Sequence, residues 1–348
     1  MEYQEGLLAL EEGERNSELR KKNYEKRIMK NTLGLPTGYR DVVFDEARSR
    51  RLIERQFAEV FDKRGFGEIS PSGVEFLDVY TRGRQSIKEL TFKFLDRDDN
   101  LLALRADFTP AIARVVSSGV LGEEVPYRVW YCGNVFRKAD VHRGRFHEFR
   151  QIGAELLGLN SIERDVEILE VALECLAAAG MKDVQLHLNH AGIFRGIISS
   201  LSLDPEALRQ VKTEIDRKDM RRVAARLQDF GVAPDVQRQV NAICRCVGTK
   251  DDLCEARAAI DNTEAAAAID ELLELASRLS PRTDNIVFDL TEIDEMEYYT
   301  GVMFAFFSSR VSAEVGKGGR YDALLQEFGR SMPAVGFSFS MDNLVSLL

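Results

Sequence analysis

The stretch from Tyr131 to Glu155, Y-C-G-N-V-F-R-K-A-D-V-H-R-G-R-F-H-E-F-R-Q-I-G-A-E, constrains this chain more than any other. It reads as two strands around a basic loop. Tyr131, Gly133, Val135 and Arg137 alternate onto one face of the first strand. His147, Phe149, Gln151, Gly153 and Glu155 alternate onto one face of the second. Gln151 and Glu155 therefore point the same way, with Gly153 between them. A glycine there is expected to leave the sheet floor open to a small molecule. Arg137 and Glu155 supply opposite charges, and Gln151 supplies both a donor and an acceptor. The same alternation also suits an ordinary hairpin whose polar face meets water.

The flanking sequence mixes helices and strands. Residues 1–32 are charge-rich and read as an arm. From Asp45 to Lys63 the apolar residues Leu52, Ile53, Phe57, Val60 and Phe61 recur at helical spacing, and Gly65 closes the helix. A strand interrupted by Pro71 follows. In residues 91–116, two strands flank a D-R-D-D-N turn, with Phe92, Phe94, Leu102 and Leu104 alternating. A helix capped by Asp107 or Thr109 comes next. Another amphipathic helix runs from about Ser161 to Ala179 and is closed by Gly180. The strand V-Q-L-H-L-N-H carries His187 and His190, which are three apart, do not share a face and read as structural. Residues 191–283 are mostly helix-forming, and strand patterning resumes with N-I-V-F-D-L-T. The division this predicts is a main domain of residues 33–190 and 284–348 with a helical insertion at 191–283.

A net charge of −10 weighs weakly against nucleic acid as the dominant partner. No run of eighteen apolar residues occurs, so no membrane span is expected, and the acidic N-terminus lacks the order of a secretion signal. A cytoplasmic location with five free thiols is expected. The spacing of Cys244, Cys246 and Cys254 is not that of a zinc site, so no metal is expected. The glycine cluster at Gly316–Gly319 fits neither a P-loop nor a dinucleotide fingerprint.

The run V-F-R, then G-R-F-H-E-F-R-Q, then G-A-E resembles motif 2 of the class II aminoacyl-tRNA synthetases, histidyl type. The long helix followed by a proline-broken strand is similar to motif 1, the dimer interface of that family, although Pro71 lies one position from the family's proline. L-R-A-D-F-T resembles L-R-P-E-G-T, whose acid and threonine hold the amino group of histidine; Asp107 and Thr109 take those positions. I-D-E-M-E-Y-Y-T-G resembles R-G-L-D-Y-Y-T-G, with Tyr298, Tyr299, Thr300 and Gly301 matching. G-K-G-G-R-Y-D and P-A-V-G-F-S-F-S-M-D-N-L are similar to the glycine-rich strand and motif 3. The resemblance implies an α+β, class II synthetase-like fold: a mainly antiparallel sheet flanked by helices, with a helical insertion. It also implies a histidine pocket built from Asp107, Thr109, Arg137, Gln151, Glu155, Tyr298 and Tyr299.

The departures concern ATP. Asn343 stands where motif 3 has the arginine that packs on ATP, and Asp294 stands where the histidine motif has an arginine for the activated carboxylate and α-phosphate. Ala139 replaces a motif 2 glutamate. Reversing a charge that faces a phosphate would remove several kcal/mol of transition-state stabilisation, where one oxyanion donor is worth about 3–4 kcal/mol. No anticodon-binding domain is expected after motif 3. Together these features resemble the regulatory-subunit family of short-form ATP phosphoribosyltransferase, the first enzyme of histidine biosynthesis. That resemblance implies a non-catalytic subunit with no catalytic residues and no cofactor. It further implies a hetero-octamer with a separate catalytic subunit, a self-dimer through motif 1, and free histidine as ligand in activation and feedback inhibition. The alternative is a truncated histidyl-tRNA synthetase-like amino-acid-activating enzyme, which ATP–pyrophosphate exchange would reveal. An RNA-binding role for Lys138, His142, Arg143 and Arg145 would show as salt-dependent tRNA binding; tRNA is not expected as a partner. If the ATP groups are lost while the pocket survives, the expectation is either that a helix N-terminus, Arg137 or Arg320 compensates for Asp294 at the ligand carboxylate or that the affinity is modest.

Overall fold

The computed structural model describes residues 34–82, 89–139, 146–292 and 299–348. The arm at 1–32, and with it His142, Arg143, Arg145, Asp294 and Tyr298, lies outside the described residues. Helix α1 (Phe44–Lys63) forms where the heptad-like spacing places it. Ile53, Phe57 and Phe61 are each four residues apart and fully buried, whereas Leu52 remains half exposed on the outer face. The helix gives way to Gly65 at φ +74°, a left-handed position that suits glycine. Its buried stripe meets an aromatic floor: Phe61 stacks on Trp130 at 5.3 Å, and Phe57 meets Phe339 edge-on at 5.7 Å.

That floor belongs to a sheet, nine-stranded among the described residues. In chain order its strands are β1 (Gly67–Glu68), β5 (Tyr127–Phe136), β6 (Glu148–Leu157), β7 (Gln185–His190), β8 (Val247–Gly248), β9 (Ile286–Asp289), β10 (Val302–Phe307), β11 (Gly316–Arg320) and β12 (Ala334–Ser340). The spatial order is β1-β5-β6-β12-β11-β10-β7-β9-β8. Only the β1–β5 and β7–β9 pairs are parallel, so the sheet is mainly antiparallel. One face is a continuous apolar surface: Trp130, Ile152, Ala154, Phe337, Phe339, Phe304 and Phe306 pack beneath α1 and helix α3 (Ile162–Ala178). A second apolar cluster lies on the other face, around helix α2 (Phe108–Ser117). Gln151, Gly153 and Glu155 of β6 point to that second face, because they alternate with the buried Ile152 and Ala154. The strand begins at Glu148, one residue later than the alternation from His147 suggested.

A smaller antiparallel sheet, β2 (Val74–Phe76), β4 (Leu101–Leu104) and β3 (Lys93–Leu95), precedes α2. Phe94 and Leu102 are directly paired, yet Phe94 is exposed, and the side of β4 that packs inward is carried by Ala103. Residues 191–279 fold into helices α4 (Ala191–Leu201), α5 (Pro205–Asp216), α6 (Met220–Asp229), α7 (Pro234–Arg245), α8 (Lys250–Ala258) and α9 (Thr263–Leu279), with β8 between α7 and α8. Asp204 caps α5 by accepting from the amides of Glu206 and Ala207. His190 caps α4 through Nδ1, which accepts from Gly192 at 3.0 Å, so it has a structural role. Helix α10 (Met341–Val345) follows β12.

The segments 34–41, 139 and 146–147 belong to a separate small unit. Within it the His147 amide donates to the Gly38 carbonyl at 2.7 Å, and the Ala139 amide donates to His147 Nδ1 at 3.0 Å.

Candidate functional site

Glycines shape the second face of the main sheet. Gly336 on β12 is paired with Glu155 on β6 and with Gly319 on β11. A Cβ on Gly336 would run into the Glu155 carboxylate, and one on Gly319 would come within 2.7 Å of the Tyr299 ring. Gly153 lies under Tyr131, whose hydroxyl oxygen would be 2.7 Å from an added Cβ. The floor that the sequence led us to expect open is therefore filled: Tyr131 lies across Gly153. Where the sheet gives up side chains, larger neighbours lie flat on its backbone.

At the centre is the carboxyl of Glu155, only 1% exposed. Thr109 Oγ1 donates to its Oε1 at 2.9 Å, Tyr131 donates to the same oxygen at 3.4 Å, and the Tyr321 hydroxyl donates to Oε2. Burial dominates its ionisation and lifts it from the ordinary 4.5 to about 8, against the pull of the surrounding hydroxyls. Tyr131 and Tyr321, fully enclosed beside a carboxyl, are pushed well above the usual phenol range by the same burial. The cluster therefore presents a largely neutral carboxyl among hydroxyls that can both give and accept hydrogen bonds.

The second wall is the start of α2. Asp107 is its N-cap, accepting from the Thr109 amide at 2.9 Å. The Arg137 guanidinium donates to Asp107 Oδ2 and to the Ala106 carbonyl at 2.6 Å. Arg137 is thus engaged with Asp107 and not with Glu155, the opposite charge the strand pattern had set against it. Gln151 is 8% exposed and four residues along β6 from Glu155, about 13 Å away. Among the described residues no donor reaches its buried Oε1. A buried carbonyl oxygen without a partner is costly, and this one belongs to a side chain on the same face of β6 as Glu155.

The structure brings together Asp107, Thr109, Arg137 and Glu155 by direct hydrogen bonds, with Tyr299 over the adjoining Gly319. Tyr131 and Tyr321 were not singled out as site residues by sequence reasoning. Both lie in quoted motifs, and the alternation of the first strand already placed Tyr131 on the correct face. Arg320, expected as a candidate for compensating Asp294, points to the opposite face. It is 4% exposed and held by Asp165 of α3, with Nη2 to Oδ1 at 2.7 Å, and by Asp322 at 3.1 Å. The parity of β11 dictates this: Gly319 faces the site, so the next residue faces the helices. Asn343, where motif 3 has arginine, uses its amide to tie the Glu314 carbonyl at 2.7 Å.

Residues 38–344 match the family model described as Histidyl-tRNA synthetase, and a histidyl-tRNA synthetase-like domain is the class of protein that this sheet and site define. Among curated proteins the chain is 33% identical to the ATP phosphoribosyltransferase regulatory subunit of Moorella thermoacetica, over 90% of this chain and 81% of that one. It is also 33% identical to the subunit of the same name from Geobacter metallireducens, over 90% of this chain and 73% of that one. A solved structure described as an ATP phosphoribosyltransferase regulatory subunit/histidyl-tRNA synthetase from Bacillus halodurans superposes with a TM-score of 0.84 at 26% identity, covering 91% of this chain and 83% of that chain. The chain belongs to the ATP phosphoribosyltransferase regulatory subunit family. No helix among the described residues is long and apolar enough to cross a membrane, and no cluster of metal-ligating side chains occurs among them.

Proposed function

We propose that this chain is a non-catalytic regulatory subunit that binds free histidine and acts on a separate ATP phosphoribosyltransferase catalytic subunit in the cytoplasm. The observation that carries the reading is the buried Glu155 carboxyl, ringed by Thr109, Tyr131 and Tyr321, beside the capped acid Asp107. An imidazole hydrogen-bonds to Glu155 in either protonation state. An α-ammonium group is met by Asp107 and Thr109, and Gln151 Oε1 has an open acceptor site for a ligand N–H. Arg137, Tyr298 and Tyr299 complete the set, with Arg137, paired with Asp107, as the cation proposed to meet the ligand carboxylate. The proposed assembly is a hetero-octamer with the catalytic subunit, built on a self-dimer through α1 and β1.

Loss of the ATP groups supports the non-catalytic part of the reading. Asn343 holds a backbone carbonyl of its own chain, and Ala139 has no carboxylate. In differential scanning calorimetry, histidine at a hundred times its dissociation constant stabilises the fold by about 2.7 kcal/mol, while ATP at a similar concentration does little. Glu155→Ala and Asp107→Ala remove the histidine shift without unfolding the protein. Adding the chain to the short catalytic subunit raises phosphoribosyl-ATP formation. A flat rate across the whole titration, or ATP–pyrophosphate exchange with histidine within a hundredfold of a true synthetase, overturns the proposal in favour of an amino-acid-activating enzyme.

A further inference from the structure

Arg105 is a buried cation, 8% exposed, with no carboxylate in ion-pair range among the described residues. Burial pulls its pKa down, the direction expected of a guanidinium that has left water. Its hydrogen bonds go to backbone carbonyls instead: Nη1 to Pro71 at 2.8 Å and Ser72 at 3.5 Å, with Nε at 3.1 Å and Nη2 at 2.8 Å to Asn134. The guanidinium lies 4.0 Å from the centre of the Phe108 ring. The main chain of the same residue is also fixed on both sides, its amide to the Gly73 carbonyl at 2.9 Å and its carbonyl to the Phe136 amide at 2.8 Å. Gly133 makes the room, because a Cβ there would stand 2.9 Å from Arg105 Nη2 and 3.0 Å from the Phe108 ring.

The contacts lead from there into the pocket by two routes. Phe108 stacks on Tyr131 at 4.3 Å and 16°, and Tyr131 reaches Glu155. Along the chain, Asp107 and Thr109 follow Arg105 by two and four residues, so fixing Arg105 fixes the capped turn that presents them. A planar fork can hold carbonyls of the segment before β2 and of β5 at once while stacking on a ring. An ammonium cannot do this.

We propose that Arg105 is a positioning residue that ties the Pro71–Ser72 turn to both walls of the pocket, so that ligand affinity depends on how that turn is held. The proposal takes the pocket's ligand from the histidine reading above. The test compares the full chain with Arg105→Lys, by amide hydrogen exchange without ligand and by calorimetric titration with L-histidine. Without ligand, the Thr109 amide exchanges at least tenfold faster in the variant, while the Leu272 amide in α9 is unchanged. A loss of fold would speed both amides, and Arg105→Gln, which keeps one forked amide and no charge, then serves as the milder second variant. With ligand, histidine binds at least tenfold more weakly to the variant, and in the wild type it slows exchange at Gly73 and Val74. Thr109 exchange unchanged in both variants, or histidine affinity within twofold of wild type, overturns the role of Arg105. A wild type that does not bind histidine, but whose Thr109 amide responds to the substitution, overturns the histidine reading and leaves the mechanical tie standing.

Discussion

Glu155→Gln isolates the central carboxyl of the site. Burial holds Glu155 protonated up to about pH 8 in the folded chain, whereas in the unfolded chain it ionises near 4.5. Between those values the folded chain keeps a proton that the unfolded chain has released, so stability falls as pH rises through the window and is level above it. At about 1.4 kcal/mol for each pH unit, the loss is about 5 kcal/mol at most, and less where the interior relaxes around the charge. Glutamine has the same shape and no ionisation. Urea denaturation of wild type and variant at intervals from pH 5 to pH 9 reads the difference directly. Subtracting one protein from the other cancels shared groups such as Asp165, which burial raises to about 6, and Glu292, which burial raises to about 7. The variant gains on wild type steadily from pH 5 to about pH 8, then the gap stays constant. A gap that does not change between pH 5 and pH 8 refutes the reasoning, because Glu155 would then ionise in the fold as freely as in water.

Gly336→Ala puts a methyl where the Glu155 carboxylate lies; it costs about 3 kcal/mol in urea midpoint analysis and removes histidine binding, and a thermal shift with histidine equal to wild type contradicts the packing described. Asp165→Asn leaves the Arg320 cation without its main carboxylate and destabilises the chain by about 3–5 kcal/mol. Because that pair lies on the helix-covered face, histidine affinity measured by calorimetry stays within twofold. Asp107→Ser keeps an N-cap and removes the carboxylate that Arg137 pairs with. Chemical denaturation then shows a loss of no more than about 1–2 kcal/mol, while histidine affinity falls at least tenfold.

The parts of the site legible in the sequence were those set by local rules. Alternation on β6 put Gln151 and Glu155 on one face, and the run D-F-T before an apolar helix announced a cap. What stayed hidden depends on strand register between distant segments. Tyr321 and Glu155 are 166 residues apart, and nothing near either one says that β12 brings them together. Gly153 looked like an empty floor because its alternation gives the direction of a missing side chain but not of the neighbour that fills the space, here the ring of Tyr131. Arg320 was misread for a related reason: its charge suggested a ligand, and only the pairing of Gly319 with Gly336 shows that it faces the helices. The fold was easier, since helix spacing in α1 and the ordered motifs both depend on short stretches of chain.

The glycine track also bears on how such a pocket changes over evolution. Tyr131, Glu155 and Tyr299 recline on backbone at Gly153, Gly336 and Gly319, so the room above the sheet is set by the side chains lying flat on it. A methyl at Gly153 would run into the Phe337 carbonyl and one at Gly319 would stand 2.7 Å from the Val302 carbonyl, so filling the track forces the strands apart, whereas trimming a ring that lies on it leaves the ladder in place. Ligand preference can then drift through substitutions of the reclining side chains, while the glycines, and any subunit docked on the scaffold, stay in place.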